Sequence, residues 1–314
     1  MKAYVVRRLL ALVPVALVVA TVAFVLIHLA PGDPASIIAG PDAAPEDVQR
    51  IARQLGLDAP LYIQLGRFYG RLLRGDLGQS IFLRKPVGEA ILDRVEPTLL
   101  LTVLATLIAV AIGVPSGVVA ARYHNRAPDQ AFMTFALVGI SVPNFLLALL
   151  MVLLFGVRLG WFPVAGYAPL EYGWLATLRS LVLPAVALGV VQSALIARIA
   201  RSSMLDVLYQ PFITASRSKG LGEPAIVYKH ALRNALIPTI TIIGISFAIL
   251  IGGAVVVETI FNIPGIGRLI ISAVLRRDYP VIQGVVLCVA GVYMLINLLV
   301  DLSYLVIDPR VRYG

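Results

Sequence analysis

Cysteine is almost missing from this chain: its 314 residues include one, Cys288, set in an apolar run. A lone thiol excludes an intrachain disulfide framework and a cysteine-built metal cluster. Histidine is scarce too. His28, His124 and His230 lie far apart with no HExxH among them, which argues against a metalloprotease or other metal enzyme. No GxxxxGK[ST] phosphate loop occurs, so the chain lacks the usual means of binding ATP itself, and no catalytic constellation stands out. Charged residues are only 14% of the sequence, and the few in apolar runs sit near the ends of those runs. A proton-coupled carrier or a channel, the alternative of a different class, calls for several ionisable groups along its spans.

What is present is hydrocarbon, at 59% hydrophobic residues. Crossing about 30 Å of bilayer core at 1.5 Å per residue takes about 20 apolar residues. Six segments meet that length: 9–29, 98–121, 131–157, 178–199, 235–257 and 281–307. The expected fold class is therefore an all-α, polytopic membrane protein with six transmembrane helices. The fourth segment is the least regular, interrupted by Pro184, Gly189 and Gln192. The first follows Lys2, Arg7 and Arg8 as a signal peptide would, yet it is longer than a signal core. His28-Leu29-Ala30-Pro31 offers no small-x-small cleavage site, so it reads as a retained span.

The net charge of +9 would raise the question of nucleic acid in a soluble protein. Its placement points to a lipid bilayer instead. With the N-terminus inside, Lys2, Arg7, Arg8, Arg122, Arg126, Arg198, Arg201, Arg217, Lys219, Lys229, Arg233, Arg310 and Arg312 fall on the inner side. The short outer loops hold only Arg158, Arg179, Arg268, Arg276 and Arg277. The positive-inside rule then puts both termini in the cytoplasm.

The chain divides into a first span (1–30), a helical extracytoplasmic region (31–97) and a five-helix core (98–314) with a cytoplasmic loop at 201–234. In the outer region Pro31-Gly32-Asp33-Pro34 makes a turn, and residues 44–55 and 61–73 have helical periodicity. A second turn follows at Asp76-Leu77-Gly78-Gln79-Ser80. Within the core, Gly113, Pro115 and Gly117 bend the second span or let another helix approach. Polar residues inside spans have two readings. Ser141 and Asn144 flank a Pro-broken stretch, Gly139 to Asn144, and either line a pathway or pack a kink. Gln192 interrupts the fourth span and is a further pathway candidate. Glu258 is either functional or a partner for Arg268. Asn297 and Asp301 share a helix face and either hold a gate or subunit contact or make a structural hydrogen bond.

Within the core, QPFITASRSKGLGEPAIVYKHALRNALIP, from Gln210 to Pro238, is polar, basic and amphipathic. It predicts a short helix from Ile213 to Lys219, a turn at Gly220-Leu221-Gly222, and a second helix from Ala225 to Arg233. Two short helices bent around glycine form a protrusion that another protein can grip.

Thr214-Ala215-Ser216, Gly220, Lys229 to Asn234 and Ile237-Pro238 together resemble the coupling loop of ABC importer permeases, in the dipeptide, oligopeptide and nickel permease group. Its first position, often acidic in that group, is Thr214 here. HLAPGDPA, QLGLDAPLYIQ, GDLGQS, ARIARSSMLDVL, VETIFNIPGIGRL and RRDYPVIQG resemble the same group along essentially the whole chain, with dipeptide and glutathione importer permeases the nearest. The resemblance implies the type I importer permease fold in a bacterial inner membrane. It implies that Phe212, Ile213, Thr214, Ala215, Ser216, Arg217, Lys219, Gly220, Lys229 and His230 contact an ATPase. It also implies a second homologous permease, two ATPase subunits that bind ATP and Mg, and an extracytoplasmic substrate-binding protein. Dipeptides or short oligopeptides are the implied cargo, with glutathione or a nickel chelate as alternatives.

Overall fold

The computed structural model describes residues 2–29, 34–39, 43–55 and 58–307. The turn expected at Pro31-Gly32-Asp33 and the closing Arg310 and Arg312 lie outside them. The described residues are helical, with no strand among them and one isolated bridge, Gln79 to Pro86. In order the helices are α1 (Lys2–Leu29), α2 (Pro34–Ala39), α3 (Pro45–Leu55), α4 (Leu61–Leu72), α5 (Val87–Leu92), α6 (Val95–Arg122) and α7 (Ala127–Ser141). They continue with α8 (Asn144–Met151), α9 (Trp174–Leu208), α10 (Pro211–Ser218), α11 (Leu232–Gly253), α12 (Val255–Ile260), α13 (Ile266–Arg276) and α14 (Tyr279–Ile307). Seven-residue π-helical segments, Val152–Arg158 and Ala225–Ala231, prolong α8 and precede α11.

Among the described residues five helical stretches are long and apolar enough to cross a membrane, and the pair of α7 with α8 and its π extension, bent by 95°, makes a sixth when counted as one broken span. The break follows from the sequence. Pro143 has no N–H to give and drives Val142 out of the helical region, to ψ 120°, so the hydrogen-bond ladder stops and restarts. The irregular fourth segment becomes the longest helix, α9, unbroken through Pro184, and two-thirds of its most apolar window is buried. Its Gly and Ala positions, which depress its hydropathy, are what let neighbours close in around it.

Contacts divide the chain into two units. Of the described residues, one holds Glu96–Gly267 and residues 295–307; the other lies within Lys2–Val95 and Arg268–Met294. In the first unit α9 packs against α6 through glycines on both helices. A Cβ added at Gly113 would stand 2.7 Å from the Ser193 carbonyl oxygen, one at Gly117 2.6 Å from that of Ala197, and one at Gly189 2.7 Å from that of Ala105. The backbones are thus in direct contact along three turns, the small-residue packing that membranes favour where apolar burial adds no driving force. Around this seam Leu101, Ala105, Leu181, Leu188, Leu250, Val257, Phe261 and Ile263 form one buried cluster. Farther along the chain, α11 meets α14 where Gly244 abuts Val300 and the hydroxyls of Thr241 and Tyr304 pair.

In the second unit α4 lies on α1. Phe24 and Phe68 stack with centroids 5.6 Å apart, Thr21 Oγ1 and Tyr69 Oη are 2.7 Å apart, and Tyr69 donates to the Leu17 carbonyl at 2.9 Å. A carboxylate closes the unit. Asp278, 3% exposed, accepts from Ser80 Oγ at 2.5 Å and from the Ile81 and Phe82 backbone N–H groups at 3.2 Å. Arg276 covers the Phe82 ring at 3.6 Å. The GDLGQS and RRDYP segments, almost 200 residues apart in sequence, are therefore the two sides of one clasp.

Valine at Gly117 will force the α6–α9 seam apart and lower the thermal midpoint of the purified chain in detergent, at an overpacking cost of about 1–3 kcal/mol. Alanine at Gly66 or Gly70 on α4, where nothing lies within 4 Å of an added Cβ, will leave the midpoint unchanged or raise it.

Candidate coupling and gating sites

The polar loop is more built than its composition suggests. Gln210 stands as N-cap residue, Pro211 opens α10, and the helix ends where Gly220 takes φ +78°, the left-handed conformation that glycine adopts without strain. Leu221 N–H turns back to the Ser216 carbonyl at 3.3 Å. Across the turn Arg217 forks onto Glu223, Nε to Oε1 at 2.7 Å and Nη2 to Oε2 at 3.3 Å. That hydrogen bond holds the Glu223 carboxyl below its ordinary value of 4.5. The helix expected at Ile213 to Lys219 is thus present as α10. The one expected at Ala225 to Arg233 is instead a π segment that runs without interruption into α11.

Ile213 anchors the loop. It is fully buried among Val118 and Ala121 of α6, Met204 of α9, Ile226, Val227 and Ala231 of the π segment, and Ala235 of α11. The opposite face is open: Phe212, Thr214, Ala215, Arg217, Lys219, Gly220 and Lys229 are exposed, and Ser216 and His230 are half-buried. Leu221 and Tyr228 add exposed apolar area at 41% and 52%. A helix pinned by one isoleucine on its inner side, and polar with a few apolar residues on its outer side, is a movable surface with a rigid root.

Beside this root lies a cluster that one-dimensional reading missed. Asp129, 3% exposed at the start of α7, receives Arg201 of α9 through two bonds, Nε to Oδ1 at 2.6 Å and Nη2 to Oδ2 at 2.7 Å. It also accepts from the Asn125 N–H at 2.9 Å, and His124 Nδ1 lies 3.3 Å from Oδ2. Arg201 counted in the sequence only as an inner-side cation and His124 only as one of three scattered histidines. The available signal was one acid, Asp129, standing among the basic residues of the 122–129 turn. Bidentate pairing of this kind fixes orientation as well as distance.

Glu258 marks the second candidate site. It is completely buried, and Thr98 of α6 donates to its Oε1 at 2.7 Å while accepting the Ile266 N–H at 2.8 Å. The carboxylate lies directly on Gly265, where an added Cβ would collide with both of its oxygens, and a Cβ at Gly267 would meet Oε2 at 3.0 Å. It thereby sits against the first turn of α13. VETIFNIPGIGRL thus encodes a carboxylate together with the glycines that make room for it.

The other expected pathway residues do not converge. Ser141 is exposed and donates to the Leu137 carbonyl of its own helix at 2.8 Å. Asn144, Gln192 and Asn297 are half-buried and make no side-chain hydrogen bond among the described residues. Asp301 is half-buried one turn beyond Asn297. No group of three or more His, Cys, Asp or Glu residues among the described ones is placed to hold a metal ion.

A bundle of apolar helices that carries one anchored polar elbow defines a polytopic helical membrane protein of the transport kind. The chain belongs to the family of binding-protein-dependent transport system inner membrane components. The model of that family matches residues 113–313, and that of the N-terminal part of such components matches residues 1–102. The chain is 47% identical over 313 residues to a putative peptide transport system permease protein of Brucella abortus, covering 100% of both. It is 44% identical to a probable peptide ABC transporter permease protein of Sinorhizobium fredii over 313 residues, again covering 100% of both chains. It is also 44% identical to the glutathione transport system permease protein of Salmonella paratyphi A, covering 99% of each. Its fold is like that of a chain of the inward-facing MetNI methionine ABC transporter, with TM-score 0.57 and 21% identity over 70% of this chain and 96% of that one. The ABC importer permease fold expected from the sequence is therefore the fold observed, and the chain is a multi-pass inner-membrane component.

Alanine at Gly265 will push the Glu258 carboxylate off its seat and destabilise the chain by about 1–3 kcal/mol. Added to Glu258→Ala it will cost much less, and the double-mutant cycle on thermal midpoints reads that coupling. Because the Glu223 pKa is lowered in the folded loop, the Arg217–Glu223 contribution is complete above the ordinary carboxylate range and is lost only as pH falls through the lowered folded value. Hydrogen exchange at Gly220 and Leu221 will accordingly show no change in protection between pH 8 and 6 once corrected for intrinsic rate, and loosening only below 4.5. The pair is about half exposed, so the loosening will be slight.

Proposed function

We propose that this chain is the membrane-spanning half of an ATP-driven importer of dipeptides and short oligopeptides. The observation that carries the reading is α10, pinned by Ile213 to α6, α9 and α11 while its other face stays open for a partner. The peptide permeases among its relatives support the cargo. In this reading both termini and the α10 loop face the cytoplasm, and residues 31–97 form an outer cap near the docking place of a substrate-binding protein. A second homologous permease completes the pathway, and two ATPase subunits hold the ATP and Mg.

Transport proceeds by alternating access. Closure of the ATPases on ATP moves α10, and because Ile213 roots it among three long helices, those helices rock as bodies. The ATPases drive this only through contacts that differ between the two states, since equal affinity for both shifts nothing. Phe212, Thr214, Ala215, Arg217, Lys219 and Lys229 form the gripped face, and Glu258 with Thr98 holds one arrangement of the opposite end. Ser141, Asn144, Gln192, Asn297 and Asp301 are the remaining polar positions open to a pathway role. Glutathione, a tripeptide, is the second reading, favoured by the 44% identity to a glutathione permease.

The test is ATP hydrolysis by the reconstituted complex with the binding protein and added peptides. Proline at Gly220 cannot adopt φ +78° and removes the Gly220 N–H bond to the Arg217 carbonyl. Substrate-stimulated hydrolysis and uptake will fall at least about tenfold while the complex still assembles, a loss of about 1.4 kcal/mol or more in coupling. Unchanged stimulation would make the loop a mere connection.

A further inference from the structure

Between the π extension of α8 and the start of α9 the chain folds a strap, residues 159–173, fastened by several hydrogen bonds. Gly166 N–H reaches the Phe261 carbonyl at 2.7 Å, Leu170 N–H and the Tyr167 hydroxyl reach Glu96 at 3.1 and 2.5 Å, and Trp161 N–H reaches the Phe155 carbonyl at 2.9 Å. Under the strap is an open cavity of about 850 Å³, walled by Phe162, Tyr167, Tyr172, Leu175, Arg179 and Ser180. Arg179 lies in the second turn of α9, so its Cα is roughly 7 Å inside the start of a membrane-spanning helix. Its Nη2 donates to the Trp161 carbonyl at 3.1 Å, and no carboxylate among the described residues lies within ion-pair distance of it. Both tryptophans of the chain, Trp161 and Trp174, are sequence neighbours of the wall residues Phe162 and Leu175 and are more than half exposed, and Leu175 is 82% exposed.

These features belong at the boundary of hydrocarbon and water. Tryptophan prefers the headgroup level, and an arginine set a turn inside a span reaches back toward that level for its counter-ion. The exposed Leu175 and Trp174 give acyl chains an apolar landing beside the charge. We propose that this cavity holds the phosphate headgroup of an anionic phospholipid, with the Arg179 guanidinium as its fork and Tyr172 on its wall. The inference is independent of the transported cargo, and orientation in the membrane decides only which leaflet supplies the lipid.

The two tryptophans make the test direct, since the purified full chain has no others. Intrinsic fluorescence is read while brominated phosphatidylglycerol or brominated phosphatidylcholine is titrated into chain held in mild detergent. The anionic lipid will quench at a roughly fivefold lower mole fraction, the factor that one basic residue near an anionic surface contributes. Arg179→Gln will abolish the preference and Arg179→Lys will retain part of it. Inorganic phosphate at millimolar concentration will not displace the lipid. Equal quenching by the two lipids, or a preference untouched by Arg179→Gln in chain of unchanged thermal midpoint, would overturn the proposal. Displacement by inorganic phosphate would also overturn it, assigning the cavity to a free anion.

Discussion

The backbones of α6 and α9 touch, and the first unit is organised by that contact. Hydrocarbon offers no partner for an exposed N–H or C=O, so each helix must satisfy its own ladder, and association has to come from close packing. Gly113, Gly117 and Gly189 supply it by removing every atom that would hold the two helices apart. A seam of this kind resists sliding and bending, because any shift drives Cβ atoms of Ile196, Ala200 or Ile108 into the facing helix.

Both candidate sites hang from this rigid pair. Thr98, in the first turn of α6, holds Glu258 and the start of α13, while Val118 and Ala121, near its last turn, close over Ile213. Along this 28-residue helix the two ends stand roughly 30–35 Å apart. Arg201 does for α9 what Ile213 does for the loop: its fork to Asp129 fixes the turn between α6 and α7 to the same rod. A displacement imposed on α10 therefore reaches a pair of braced helices rather than a flexible linker, which is the physical requirement for any transmission across the bilayer. The π segment Ala225–Ala231 stands at the one place where the elbow passes into a span, and wide π turns tend to occur at such functional joints.

How much of this could be read beforehand depended on range. The helices were legible because apolar run length and periodicity are local, and so were the Gly220 turn and the break at Pro143, each dictated by what one residue can or cannot do with its backbone. α9 reads as the least regular span for an instructive reason. Hydropathy rewards bulk, whereas a helix that others pack closely against is built from Ala, Gly and Ser so that they can approach. The interruption at Gly189 is one of those places of approach.

The polar contacts were legible only in part, and the reason is separation. Glu258 was conspicuous as an acid at the end of an apolar run, but its partner Thr98 lies 160 residues away, on a helix where threonine passes for filler. Asp129 and Arg201 are 72 residues apart, and each alone reads as an ordinary charge at the edge of a span. Glycine carries the better clue. Gly265 and Gly267 follow Glu258 closely, the first just before α13 and the second inside it where helix propensity would favour alanine, and a glycine standing against propensity signals that something else occupies the space of the side chain. Here that occupant is a buried carboxylate. The same argument applies to Gly113, Gly117 and Gly189, where the occupant is the neighbouring backbone, whereas Gly291 in α14 has open space beside it; a glycine in an apolar run marks a tight contact only where a neighbour fills the place of its side chain.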